Sequence, residues 1–258
     1  MNPLINNIFI NLITPLHVKQ NTGRPLKTCY IQILNSIIFK IKTNCTWSNV
    51  KLYGDYSYST VFKYFKLWSE NKIFNALWEN VIKIYSSNKH IKWKFLSVDS
   101  SMIKCLKGGE CTGPNYQDRN RKGVKLNALV DTNGIPLSIH LSPSNEHDNQ
   151  HIPSLLNKMV IKRPNYNQYL LADKGYDSAN LRAYLIANNF EPIIPYRNNN
   201  QIQLNNDQRK IYNKRKVIEN YFAKLKQYKS IRIRYERLIG HFSSFIEIAN
   251  SIIIGAQL

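Results

Sequence analysis

The chain reads as an α/β protein, a mixed sheet flanked by helices, with an all-helical module at its N-terminus. Three observations lead there. Residues 1–86 repeat apolar side chains at three- and four-residue steps, the helical period. From residue 91 the texture changes to short apolar or alternating runs divided by turn formers, as in strands. Helical runs then return between and after those strands. The order becomes strand, hairpin, helix, strand, helix, strand, helix, which suits a sheet covered by helices.

Each element has its own signal. Thr22-Gly23-Arg24-Pro25 breaks the front of the helical region. Ile31, Leu34, Ile38 and Ile41 then mark one core-facing stripe; Val61, Phe62, Phe65 and Trp68 mark a second, and Ile73, Leu77, Val81 and Ile84 a third. Short successive helices rich in Lys and Tyr fit a helix-turn-helix-like DNA-binding module and equally a plain helical bundle. Residues 95–99 (FLSVD) form a short apolar strand ending in an acid, and residues 105–121 a polar loop. Residues 124–131 (VKLNALVD) and 136–141 (PLSIHL) are the arms of a hairpin turned at Asn133-Gly134. A short helix is expected over 152–159. Residues 169–173 (YLLAD) form a near-continuous apolar strand suited to the middle of a sheet. Ser178 is placed to cap a helix to residue 189, a short strand follows at 192–195, and an apolar helix begins near Phe242. The division expected is 1–88 for the helical module and 89–258 for the sheet domain.

The charge narrows the partners. Lys and Arg outnumber Asp and Glu by 36 to 16 in 258 residues, a net +20. On a folded chain such an excess points to a polyanion, nucleic acid first and an anionic membrane second. No stretch approaches the ~20 apolar residues of a membrane span, so no membrane partner is expected. Cys29, Cys45, Cys105 and Cys111 form no CxxC pair, which speaks against a zinc finger or a disulfide framework and fits a reducing cytosol.

Residues 208–229 read as a basic amphipathic helix. At about 100° per residue, Tyr212, Arg215, Glu219 and Lys226 share one narrow face beside an apolar stripe of Ile211, Ile218, Phe222 and Leu225. Alone, the Arg215 to Glu219 spacing reads as a solvated i,i+4 ion pair. Asp99 and Asp173 change that reading. Each ends an apolar run and is expected at the carboxyl edge of the sheet, although an isolated strand-end aspartate is usually a turn former or a cap. With Glu219 they make three acids converging on one edge. Such a cluster repels itself unless cations neutralise it. Two Mg²⁺ ions about 3.5–4 Å apart do so while activating water for phosphoryl displacement.

Several other groups draw blander readings. His147 and His151 have HxxxH spacing but straddle a loop and a helix start, so a zinc site is not expected. Asp148 and His147 support the acids or cap a loop, Asp177 is a turn or cap residue, and Asp131 belongs to the turn at Asn133-Gly134.

These residues carry a family resemblance. The spacing Tyr212, two residues, Arg215, three residues, Glu219, six residues, Lys226 resembles the Y-(2)-R-(3)-E-(6)-K signature of DDE transposases of the IS5 insertion-sequence family. Residues 172–178 (ADKGYDS) resemble the family's second-aspartate motif, 98–101 (VDSS) its first-aspartate strand, and 143–148 (PSNEHD) the loop after the third strand. The neighbourhoods of Gly23-Arg24-Pro25 and Trp47 resemble its N-terminal region. Two departures stand out: Asn44-Cys45-Thr46-Trp47 replaces a usual Gly-Cys-Pro-Trp, and the histidines often found after the first aspartate are missing.

The resemblance implies an RNase H-like fold with Asp99, Asp173 and Glu219 as catalytic acids that bind Mg²⁺ or Mn²⁺, two ions expected. It implies that Arg215 and Lys226 contact DNA or order Glu219, and that Tyr212 stacks or hydrogen-bonds nearby. The partners implied are double-stranded DNA, as terminal inverted repeats and as target, and further copies of the chain in a homo-oligomer on DNA. The place implied is the bacterial cytoplasm, on the nucleoid. In this chemistry activated water cuts a strand, and the freed 3′-hydroxyl attacks target DNA without a covalent protein intermediate. Two rivals stand beside it: an RNase H-fold nuclease that cuts without joining, and a decayed remnant that only binds DNA.

Overall fold

The computed structural model describes residues 2–18, 29–197 and 203–258. The expected break at Thr22–Pro25 lies outside the described residues. Packing divides the chain into two compact units, one of residues 1–89, 105–110 and 224–258, the other of residues 90–104 and 111–223. This is a partition by contact, whereas the cut expected at residue 88 is one by sequence.

The first unit is helical. It contains α1 (Pro3–Val18), α2 (Tyr30–Thr43), α3 (Tyr58–Glu70), α4 (Ile73–Lys89), the short α9 (Lys229–Arg232) and α10 (Ile239–Gly255). Local chemistry sets several of the ends. Asn44 takes a left-handed conformation (φ 57°) that stops α2, and the Ser57 hydroxyl accepts the Thr60 N–H at the start of α3. Ile33, Leu34, Ile37, Ile38 and Ile41 are buried along α2, so the periodic stripe faces the core as expected. Phe9, Trp68 and Phe74 pack edge-on or stacked beside Phe65. The last helix joins this unit because it is buried on nearly every side, and α1, α3, α4 and α9 surround it.

One buried group on α10 makes this unit sensitive to pH. Burial pushes the Glu247 carboxyl up to about 7, against a lowering hydrogen bond from Ser243, and Glu79 raises it further. A folded pKa above the unfolded one stabilises fully below the unfolded value and is lost as pH rises through the folded one. Glu247→Gln is therefore expected to stabilise the protein by about 3 kcal/mol at pH 8 and by little below pH ~4. Denaturant unfolding at the two pH values checks it; an equal effect at both would reject the account.

The second unit holds the mixed sheet. Its strands are β1 (Phe95–Cys105), β2 (Gly113–Asn115), β3 (Arg121–Val130), β4 (Pro136–Pro143), β5 (Gln168–Leu171) and β6 (Phe190–Ile193), in the order β2-β3-β1-β5-β6. β4 shares the outer edge of β3 with β2, pairing residues 124–130 while β2 pairs 121–123. β1 is antiparallel to β3 and parallel to β5, and β5 is parallel to β6. β3 is buried along Gly123 to Val130, as a strand flanked on both edges must be. Its turn into β4 is built by Asp131, whose carboxylate accepts the N–H groups of Lys92, Asn133 and Ile135, with Gly134 at φ 77°. Helices α5 (Ile152–Asn157), α6 (Ala179–Ala187), α7 (Asn206–Tyr212) and α8 (Lys216–Leu225) complete the order. Ser178 stands at the N-cap of α6, but its side chain makes no capping bond.

Two local expectations are corrected. The first strand does not end at Asp99; it runs to Cys105, because β3 offers an antiparallel partner for every residue from Ser97 to Lys104. Nor is 208–229 one helix. α7 closes at Tyr212, a 3-10 turn covers Asn213–Arg215, and α8 ends at Leu225, so Lys226 lies in the turn beyond it.

Candidate active site

The acids meet where the parallel part of the sheet stops. Ser97 of β1 lies opposite Leu171, the last residue of β5. Asp99 and Asp173 each stand two residues beyond that last rung. Adjacent strands run about 4.8 Å apart, so equal steps past a shared rung bring the two positions side by side. Asp99 keeps β3 on one flank, paired with Ala128, while β5 has ended on the other. The chain leaves Asp173 into a 3-10 turn, Lys174–Tyr176. Asp99 thus gains an open edge because its neighbour ends, not because its own strand does.

Glu219 arrives from the far end of the unit, and one arginine ties it in. Arg215 Nη1 donates to Asp99 Oδ2 at 2.9 Å, and Nη2 donates to Glu219 Oε1 at 2.5 Å. One planar guanidinium spanning both holds those oxygens within about 8 Å of each other. Asp99 Oδ1 also accepts the Ser100 N–H at 2.8 Å. From the turn before, the Tyr212 hydroxyl reaches Asp173 Oδ1 at a long 3.5 Å, and the Arg215 guanidinium lies 5.8 Å from the Tyr212 ring. The 3-10 turn still leaves Arg215 and Glu219 four residues apart on one face. The i,i+4 pair is real, but its arginine also holds an acid 116 residues away.

At the site, burial and neighbouring charges act against one another. Burial pushes the Asp99 carboxyl above its ordinary pKa; the Ser100 N–H and Arg215 pull it down, and Asp173 pushes it up again. Burial opposes the Arg215 charge, but Asp99, Tyr212 and Glu219 outweigh it and raise its pKa. The Tyr212 hydroxyl is raised, first by burial and then, against Arg215, by Asp173.

Tyr176 was not singled out from the sequence. It is buried on the turn after Asp173, and its hydroxyl is pushed well above its ordinary pKa by burial and then by Asp148, Asp99 and Asp173. Asp148 therefore stands near the acids, and Lys125 holds it at 2.8 Å while donating to the Glu146 carbonyl at 2.6 Å. Lys125 is buried inside β3, where an alternating strand gives no hint of a lysine turned inward; the only signal was the charge itself. His151 pairs with Glu146 at 3.2 Å, and Asp177 takes both Arg182 and the Arg197 N–H, tying α6 to the chain after β6. Lys226 belongs to the other unit, where burial and then Arg232 lower its pKa.

The donor chemistry suits a hard divalent ion, since Asp99, Asp173 and Glu219 offer only carboxylate oxygens. As the side chains stand, no three His, Cys, Asp or Glu among the described residues are gathered tightly enough to grip one. Arg215 supplies the positive charge between Asp99 and Glu219 instead. Among the described residues no helix is long and apolar enough to cross a membrane.

Comparison with known proteins bears on the family and the fold of the chain. The family model described as a transposase DDE domain matches residues 94–250, and that of a putative transposase of the IS4/5 family matches residues 8–78. A putative transposase for insertion sequence element IS402 from Burkholderia cepacia is 30% identical over 146 residues, covering 53% of this chain and 65% of that protein. The chain thus spans a little under two thirds of that relative's length. A putative transposase for IS6501 from Brucella ovis is 32% identical over 131 residues, covering 50% of this chain and 96% of its own. Among solved structures, the piggyBac transposase synaptic complex with hairpin DNA superposes with a TM-score of 0.58 at 11% identity, over 98% of this chain and 72% of that one. At that identity the likeness shows the fold alone, an RNase H-like mixed sheet flanked by helices.

Proposed function

Because this chain belongs to the family of transposases with a DDE domain, we propose that it cuts the ends of an insertion sequence and joins the freed 3′-hydroxyls to target DNA. Within the IS4/5 grouping, the Tyr212, Arg215, Glu219 and Lys226 spacing favours the IS5 branch. The observation that carries the proposal is Arg215 bridging Asp99 and Glu219 while Tyr212, one turn earlier, reaches Asp173.

Asp99, Asp173 and Glu219 would hold Mg²⁺ or Mn²⁺, two ions expected, which when bound activate the attacking oxygen and neutralise charge on the scissile phosphate. The remaining work falls to the chain's own groups. Arg215 offsets the mutual repulsion of Asp99 and Glu219, and where those acids held cations its guanidinium would be free for a phosphate oxygen. The Tyr212 hydroxyl steadies Asp173. Tyr176 walls the site on its buried side and keeps its proton, so it donates and never adds charge. In the first step water attacks a phosphodiester at the element's end and releases a 3′-hydroxyl. In the second that hydroxyl attacks a target phosphodiester, and the target's own 3′-oxygen leaves. The +20 charge retains the polyanion, residues 1–88 serve as the DNA-binding module, and copies of the chain assemble on the paired ends.

The test is strand cleavage and joining on the element's own end sequence, with Mg²⁺ or Mn²⁺ and with chelator. Cut ends joined into a second duplex support the proposal. Cutting without joining favours a nuclease, and binding without cutting favours a remnant.

A further inference from the structure

The helical unit contains a pocket that the strand-transfer reading does not use. Its volume is about 580 Å³, within the range of ligand sites. Trp47 and Phe62 form one wall, their ring centroids 5.2 Å apart, and His241 meets Phe62 edge-on at 6.4 Å. Lys40 and Glu236 form its polar part, paired at 3.4 Å with side chains only 4% and 8% exposed. Lys107 and Arg237, both exposed, contribute positive charge to its lining.

The rim is built rather than incidental. Arg234 is fully buried and donates to three backbone carbonyls, those of Glu236, Arg237 and Glu110, at 2.7 to 2.9 Å. Gly109 lies so close to Arg237 that an added Cβ would sit 2.5 Å from its carbonyl oxygen. The segment carrying Glu236 is thereby pinned to the loop carrying Lys107. Within this frame Glu236 Oε1 faces Lys40, while Oε2 is shut from water without a hydrogen-bond partner among the described residues. A buried carboxylate oxygen lacking a donor is costly, and a ligand N–H relieves that cost.

We propose that this pocket takes a single unpaired nucleobase, guanine in preference, from DNA held by the protein. Aromatic walls accept any base face, and cations beside them suit the flanking phosphates. The polar pair selects among bases. Guanine alone presents two adjacent N–H donors, N1–H and the N2 amino group, next to an acceptor, O6. Once the side chains over it move aside, Glu236 Oε2 takes the donors, and the acceptor draws a Lys40 N–H from its long 3.4 Å contacts with Asn44 Oδ1 and Ser230 Oγ. Adenine would set its bare N1 against the carboxylate. Phe62 and Tyr235, both 39% exposed, have room to turn aside and admit the base. The proposal rests on the reading that the chain binds DNA.

The test compares binding of the full chain to a plain duplex and to duplexes carrying one unpaired guanine, inosine or adenine, or an abasic bulge. Guanine is expected to bind about tenfold more tightly than the abasic bulge, with inosine between them for want of its amino group. Phe62→Ala should lower the guanine affinity about fivefold and leave the plain duplex unchanged. Glu236→Gln should bring guanine and adenine together, provided its melting temperature shows the fold intact; the base analogues make the same test without touching the protein. Equal affinity for all four bulges, with the plain duplex bound, would overturn the pocket assignment alone. Failure to bind any duplex would overturn it together with the DNA reading.

Discussion

Glu219→Gln and Asp173→Asn are each expected to lower strand cleavage and joining about a thousandfold, equivalent to ~4 kcal/mol of barrier. Both changes keep shape and remove one charge from the oxygen donors. A neutral amide neither binds a hard cation well nor offsets its charge. DNA affinity should stay level or rise, since a carboxylate facing phosphates repels them. Cleavage and joining assays run beside binding titrations check both halves. Retained cleavage in either variant would remove that acid from the chemistry, and lost binding would give it a structural part instead.

Arg215→Ala is expected to destabilise the protein by about 2 kcal/mol, less than the 3–5 of a fully buried pair because Arg215 and Asp99 keep some contact with water. Without the guanidinium, Asp99 retains only the Ser100 N–H against its burial and the nearby Asp173. Its folded pKa, already raised, then rises further. A raised carboxyl pKa means stability held below the unfolded value and lost as pH climbs through the folded one. The deficit of Arg215→Ala should therefore be full near pH 7 and fade toward pH 3, where both states are protonated. Arg215→Lys recovers only part, because an ammonium lacks the planar fork that reaches two carboxylates at once. Adding Asp99→Asn to Arg215→Ala should restore most of the lost stability. Unfolding curves for wild type, Arg215→Ala, Asp99→Asn and the double variant form a double-mutant cycle, and a coupling energy near zero would reject the bridge.

Much of this site was legible because its residues lie within a few positions of one another or end a distinct apolar run. The Arg215 to Glu219 contact needs only four residues of helical geometry, which even the 3-10 turn preserves. The runs before Asp99 and Asp173 announced strands, while the register that sets the two acids side by side came only from the pairing of β1 with β5. Tyr176, Lys125 and Asp148 were harder. Each owes its meaning to neighbours far along the chain, and a lysine inside an alternating strand looks like any solvated charge until Asp148 and the Glu146 carbonyl are seen against it.

By itself, the sequence determined the kinds of elements, the two aspartate positions and the spacing of the signature, since periodicity and spacing are local properties of a regular backbone. Only the tertiary structure decided that Arg215 spans two acids, that β1 runs on past Asp99 while β5 stops, and that α10 joins the N-terminal helices. Those outcomes depend on which distant surface each edge and apolar face is buried against. Burial is settled by the whole chain at once, and no window of neighbouring residues contains it.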